Sequence, residues 1–115
     1  MSTEKDLPPE DAKLLTLARA TRARTRAAEG AAVRDLDGRT YAAATVDLPS
    51  LQLSALAGCV AMAVASGAAG LEAALVHTAA EAVAPDDLAV LRDLAGADVP
   101  VHRAGPGGVT STTTT

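Results

Sequence analysis

Two histidines, one cysteine and a group of arginines are the side chains of this 115-residue sequence most able to do chemistry. His77 ends the apolar run Leu71-Glu72-Ala73-Ala74-Leu75-Val76, and Glu81 and Asp86 follow closely enough to join it in a metal or acid/base site. Their scattered spacing has no metal-ligand signature, so His77 reads as a strand-end residue whose ring is satisfied locally. His102 lies on an expected edge strand near the C-terminal end and carries less signal still. Cys59 sits in an apolar segment, where a free thiol packs as a small hydrophobe. A nucleophilic cysteine needs a basic neighbour, and none is close in sequence. Arg19, Arg22, Arg24 and Arg26 form a basic cluster that suits an anion or RNA contact, but a solvated helix face or ion pairs across an oligomer account for it more simply. Gly30 and Gly38 belong to neither G-x-x-x-x-G-K-[ST] nor G-x-G-x-x-G, which excludes a phosphate loop.

The elements that must position these groups belong to a chain of single-domain length. The apolar fraction is 49%, yet there is no Phe, no Trp and one Tyr, so Ala, Val and Leu must fill the core. Such a core requires close approach of its elements and favours further burial by self-association. A net charge of −4 gives no general pull toward nucleic acid or anionic lipid. One cysteine excludes an intrachain disulfide, and the N-terminal residues lack a signal-peptide layout, so a cytoplasmic location is expected. Residues 48–71 carry no charge and would be long enough to cross a bilayer. Pro49, Gln52, Ser54, Ser66, Gly67 and Gly70 argue instead for a helix buried in a soluble core.

Patterning predicts a helix over residues 9–27, started by Pro8-Pro9 with Glu10 and Asp11 in its first turn and closed by Gly30. Asp37-Gly38 between two extended runs predicts a β-hairpin. A buried helix over residues 51–65, a strand over 71–78, a helix over 85–94 and an edge strand over 99–103 complete the order α-β-β-α-β-α-β. This order predicts an α/β fold, a three-layer α/β/α sandwich with a mixed sheet of four to five strands. Residues 9–104 form the domain. Residues 1–8 and the Gly- and Thr-rich residues 105–115 are expected to be disordered.

Three segments resemble a known family. Gly30-Ala31-Ala32-Val33 is similar to the V-G-A-A-L of the small homotetrameric cytidine deaminases, Asp37-Gly38-Arg39-Thr40-Tyr41 to their D-G-K-V-Y, and Ala63-Val64-Ala65-Ser66-Gly67 to their K-A-V-S-E-G. The resemblance implies a zinc ion that turns water into hydroxide, held by a His or Cys and a Cys-x-x-Cys pair, with a Glu to shuttle the proton. By the same register the first ligand position falls on Ser54, the Glu on Leu56, and the P-C-x-x-C motif on Pro85-Asp86-Asp87-Leu88-Ala89. Ser54, Leu56, Asp86 and Ala89 are thus degenerate former-site positions, and neither a zinc site nor any other cofactor is expected.

The family's ribose-binding Asn-x-Glu falls on Thr45-Val46-Asp47, so Thr45 and Asp47, with His77, are the candidates for residual nucleoside binding. A base would lack its aromatic stacking surface, because the family's pocket phenylalanine falls near Ala27. The expected function is a catalytically inactive, oligomeric structural or interaction domain. The alternatives are a deaminase-related hydrolase with residual or altered activity and a nucleoside-binding sensor. Self-association to a dimer or tetramer is expected through helix 51–65 at Ala55, Gly58, Cys59, Met62 and Ala63. Membrane and nucleic-acid partners are not expected.

Overall fold

In the computed structural model, which describes residues 7–115, a five-stranded sheet is covered by helices on both faces. The elements are α1 (Pro9–Thr25), β1 (Gly30–Asp35), β2 (Thr40–Ala44), β3 (Val46–Leu48), β4 (Leu51–Leu53), α2 (Ala55–Ala65), β5 (Leu71–His77), α3 (Pro85–Ala95), β6 (Pro100–Gly105) and β7 (Gly108–Thr114). Strand order is β2-β1-β5-β6-β7, while β3 and β4 form a separate two-stranded ribbon. The pair β5 and β6 is parallel and the other pairs are antiparallel, so the sheet is mixed. Among the described residues, no helix is long and apolar enough to cross a membrane.

Alternation along the strands divides the core in two. Leu14, Leu15 and Ala18 of α1 pack on Ala32, Ala73, Leu75 and Ala104. On the opposite face, Leu56, Cys59 and Ala63 of α2 and Leu91 of α3 pack on Ala31, Val33, Ala74 and Val76. These are mostly small side chains, and the layers meet at short range. A Cβ added at Gly30 would lie 2.3 Å from the Ala18 carbonyl oxygen and 2.7 Å from Arg22 Cβ. Gly30 is therefore the first residue of β1, placed where only a hydrogen fits beneath α1. The helix stops earlier than Gly30 suggested, with Arg26 in the left-handed region at φ 55° as its cap.

The Asp37-Gly38 turn forms as expected, with Gly38 at φ 84°. Asp35 braces it. One carboxylate oxygen accepts the Asp37 and Arg39 amides at 2.9 and 3.0 Å, and the other accepts the Tyr41 hydroxyl at 2.8 Å. Burial alone would raise the Asp35 carboxyl, but these donors outweigh it and hold it below the ordinary range.

The structure departs from the sequence expectation in three places. Residues 51–53 are strand β4, and the helix starts after Ser54, whose hydroxyl accepts the Ala57 amide at 3.0 Å as an N-cap. The turn at Pro49-Ser50 lets β3 and β4 pair, from Val46 opposite Leu53 to Leu48 opposite Leu51. The C-terminal residues are not a disordered tail. Gly108–Thr114 is β7, paired from Gly108 opposite Gly105 to Thr114 opposite Pro100, so β6 is an interior strand. Low complexity hid a run of β-branched threonines, which are good strand residues once an open edge offers pairing. Of the residues expected to be disordered at the other end, 1–6 lie outside the described residues, and Leu7 packs against the α1 core.

A third correction concerns the self-association face. Ala55, Gly58, Cys59 and Ala63 are buried against the sheet of their own chain, and a Cβ at Gly58 would already stand 3.1 Å from Ala43 Cβ. Of the five residues expected at a contact, only Met62 is exposed.

The close approach at Gly30 yields a direct test. Gly30→Ala should destabilise the domain by about 1–3 kcal/mol, the usual cost of overpacking, measured from urea midpoints. A loss below about 0.5 kcal/mol, the scale of a neutral surface change, would mean that α1 can stand farther from β1.

Candidate functional site

At the carboxyl end of β5 an open cleft of about 610 Å³ is lined by Glu29, Thr45, Asp47, Ser54 and Thr78, among others. Four connections converge there: the loops α1 to β1, β2 to β3, β4 to α2 and β5 to α3. Glu29 ties them together. Its carbonyl accepts the Thr45 amide at 3.1 Å, its amide donates to Thr45 Oγ1 at 3.0 Å, and its carboxylate accepts the Thr78 hydroxyl at 2.7 Å. The Thr78 oxygen in turn accepts the Ala80 amide at 3.0 Å. Glu29 and Thr78 were not anticipated as cleft residues. The one sequence signal was a lone carboxylate directly before a strand of small residues.

Ser54 sits at the floor of this cleft and is fully engaged. Its hydroxyl donates to Asp87 Oδ1 at 2.5 Å while its oxygen caps α2. Asp87 belongs to the first turn of α3, where the helix dipole favours a carboxylate. The start of α2 beside the cleft is thus joined to the start of α3 by a short hydrogen bond. Sequence register pointed to Asp86 as the oxygen at this position. The structure turns Asp86 to solvent and brings the next residue, Asp87, to Ser54.

The other candidates separate. Leu56 is fully buried in the core shared by α2, α3 and the sheet, and Ala89 lies exposed on α3. Thr45 and Asp47 both line the cleft, but the Thr45 hydroxyl is already held by Glu29. His77 is not with Glu81 and Asp86. It faces α1, where Arg22 Nη1 donates to His77 Nδ1 at 3.2 Å. Burial, together with the Arg22 and Arg19 charges, pushes the His77 ring below its ordinary range, so the imidazole is neutral near pH 7. No described carboxylate pairs with Arg19, Arg22, Arg24 or Arg26. Cys59 donates to the Tyr41 carbonyl at 3.6 Å, and burial pushes its thiol up to about 12, which leaves almost no thiolate for chemistry.

A zinc ion, which the sequence resemblance implies for its relatives, does not fit these side chains. Ser54 spends its hydroxyl on Asp87, Ala89 has no donor atom, and Leu56 has no proton to move. Among the described residues, no three His, Cys, Asp or Glu side chains converge as a metal site would require.

A three-layer α/β/α sandwich with its cleft at the carboxyl end of β5, beside the start of α2, defines the class of the molecule. The chain belongs to the cytidine deaminase-like family, whose model matches residues 7–108. Solved structures agree. A cytidine deaminase from Burkholderia pseudomallei superposes with a TM-score of 0.76 at 21% identity, covering 90% of each chain. One from Mycobacterium leprae gives 0.62 at 22% identity, over 83% of this chain and 89% of that one. A mutant cytidine deaminase from Mycobacterium tuberculosis gives 0.61 at 20% identity, over 83% and 88%. These likenesses establish the fold. No curated protein matches the sequence.

The state of His77 makes stability depend on pH in a defined direction. Its ring is harder to protonate in the folded chain than in the unfolded one, where it titrates near 6.5. Its contribution is therefore complete above about pH 6.5 and is lost as pH falls toward the folded value. Urea midpoints should drop between about pH 7 and pH 5, and His77→Gln should flatten that part of the profile. An unchanged slope in the variant would contradict the assignment.

Proposed function

We propose that this protein is a catalytically inactive member of its family that acts as an oligomeric structural or interaction domain. The observation that carries the reading is the bond between Ser54 and Asp87, which joins the two helix starts directly. A metal held there would need free donor atoms, and the Ser54 hydroxyl is engaged by Asp87 Oδ1 and by the α2 backbone. Leu56, inside the core, supplies no acid in place of a proton shuttle.

The test is elemental analysis of the purified full chain together with an ultraviolet assay of cytidine conversion. The expected result is less than one zinc per ten chains and no uridine above the uncatalysed rate. One tightly bound zinc per chain, or steady turnover, would overturn the reading. Cytidine that raised the melting temperature without being consumed would support a nucleoside-binding sensor, for which the cleft with Thr45 and Asp47 is the available site.

The oligomeric part of the proposal rests on the outward side of α2. Met62 and Val64 are 44% and 57% exposed, and Leu48 and Leu51 on the β3/β4 ribbon are 55% and 49% exposed. No charged residue lies between Leu48 and Leu71, so two copies could meet there without bringing like charges together. Sedimentation at tens of micromolar should show a dimer or larger species. Val64→Glu should shift it to monomer while leaving the melting temperature within a few degrees, because Val64 makes little contact inside one chain. A monomeric unmodified protein would end the oligomeric reading.

A further inference from the structure

A second array of acid, imidazole and hydroxyl lies on the opposite face of the sheet from the Ser54 cleft, beneath the first turn of α1. Asp11 Oδ2 stands 2.9 Å from His102 Nε2, and His102 Nδ1 stands 2.8 Å from Thr112 Oγ1. Asp11 and His102 are buried, at 5% and 4% exposure, whereas Thr112 is exposed on the edge strand β7. Cross-strand register produces the second contact, because His102 of β6 lies directly opposite Thr112 of β7. The helix start produces the first. Asp11 points from α1 down to the sheet, and its other oxygen accepts Arg34 Nη2 at 2.8 Å. Arg34 is itself held by Glu72 at 3.0 Å.

The direction of these bonds follows from the donor inventory. A carboxylate only accepts, so in the neutral ring Nε2 carries the hydrogen and donates it to Asp11. Nδ1 is then a lone pair, and the Thr112 hydroxyl donates to it. A hydroxyl whose proton already points at an imidazole, with that imidazole oriented by a buried carboxylate, is the arrangement that activates serine and threonine nucleophiles. Nothing in the cleft chemistry uses it.

We infer that Thr112 is a nucleophilic hydroxyl that accepts acyl groups from activated esters, with His102 as its general base and Asp11 as the positioning residue for that base. Thr112 Oγ1 forms a bond to the ester carbonyl carbon, and its proton passes to His102 Nδ1. The bond from that carbon to the alcohol oxygen then breaks, the alkoxide or phenolate leaves with the electron pair, and it takes the proton from His102. The products are an O-acyl threonine and the free alcohol. The open strand edge lets a small ester reach Thr112 without a pocket.

The same strand provides internal controls. Thr110, Ser111, Thr113 and Thr114 are exposed as well, but Thr110 donates to the Arg103 carbonyl at 3.1 Å and Ser111 accepts from Arg103 Nε at 3.2 Å. None of them is hydrogen-bonded to an imidazole in the structure.

The experiment treats the folded full chain with p-nitrophenyl acetate, quenches with acid over a time course, and maps acetyl groups by tandem mass spectrometry. Acetylation of Thr112 should run about a hundredfold faster than that of Thr110, Ser111, Thr113 or Thr114, the lower end of general-base assistance. Thr112→Val should remove the fast site and Thr112→Ser should keep it. His102→Gln should bring Thr112 down to the rate of its neighbours. Equal rates along β7 in the unmodified protein, or a fast Thr112 that survives His102→Gln, would overturn the proposal. The comparison within one unmodified molecule holds even if the histidine variant fails to fold.

Discussion

At Gly30 the backbone of β1 passes so near α1 that a single methyl group would lie 2.3 Å from the Ala18 carbonyl oxygen. The rest of the molecule is organised around that spacing. A core without phenylalanine or tryptophan gains its burial from many small side chains, and these contribute only when layers approach closely. Ala31, Ala32, Ala73 and Ala74 at the centre of the sheet are all fully buried, and both helical layers rest on them. Close approach on one face also brings Arg22 over His77 and Asp11 onto His102. The packing constraint thus sets the polar contacts as well.

Those polar contacts are buried. Asp11 is buried yet shared between Arg34 and His102, and Asp35 is buried yet accepts three hydrogen bonds. A buried carboxylate is tolerated only when such partners replace water. Each case pins an element in place. Asp11 fixes the start of α1 on the sheet, and Asp35 fixes the turn from β1 to β2. Removing either partner would leave a charge or an oxygen stranded, which is why these contacts specify geometry and do not merely decorate it.

The fold of the family does not depend on the residues at the helix starts, for a physical reason. Burial of Ala31, Val33, Ala74 and Val76 beneath α2 and α3 keeps the sandwich intact whatever stands at the helix starts. The helix starts themselves need only their orphan amides satisfied, and Ser54 does that as an N-cap while Asp87 sits where the helix dipole favours it. This fold therefore closes over Ser54, where the resemblance places a metal ligand, and over Asp87, one residue past another such position.

From the sequence alone followed the three helices, strands β1, β2, β5 and β6, the Asp37-Gly38 turn, the three-layer arrangement and the family. These depend on local chemistry: the period of apolar residues, the positive φ that glycine permits, and proline at helix starts. The identities of Ser54, Leu56, Asp86 and Ala89 were equally legible, since they need no coordinates. Only the tertiary structure could show that Asp87, and not Asp86, meets Ser54, because one residue along a helix start changes the direction of a side chain by about 100°. Strand β7 was hidden for a different reason. Threonines with no apolar alternation look like a solvated tail until the register of β6 offers them hydrogen bonds, and that register places Thr112 opposite His102. The outward face of α2 was likewise undecidable, since a helix apolar on every side does not announce which side meets the sheet. Gly58 against Ala43 settled it through a distance between elements far apart in the chain.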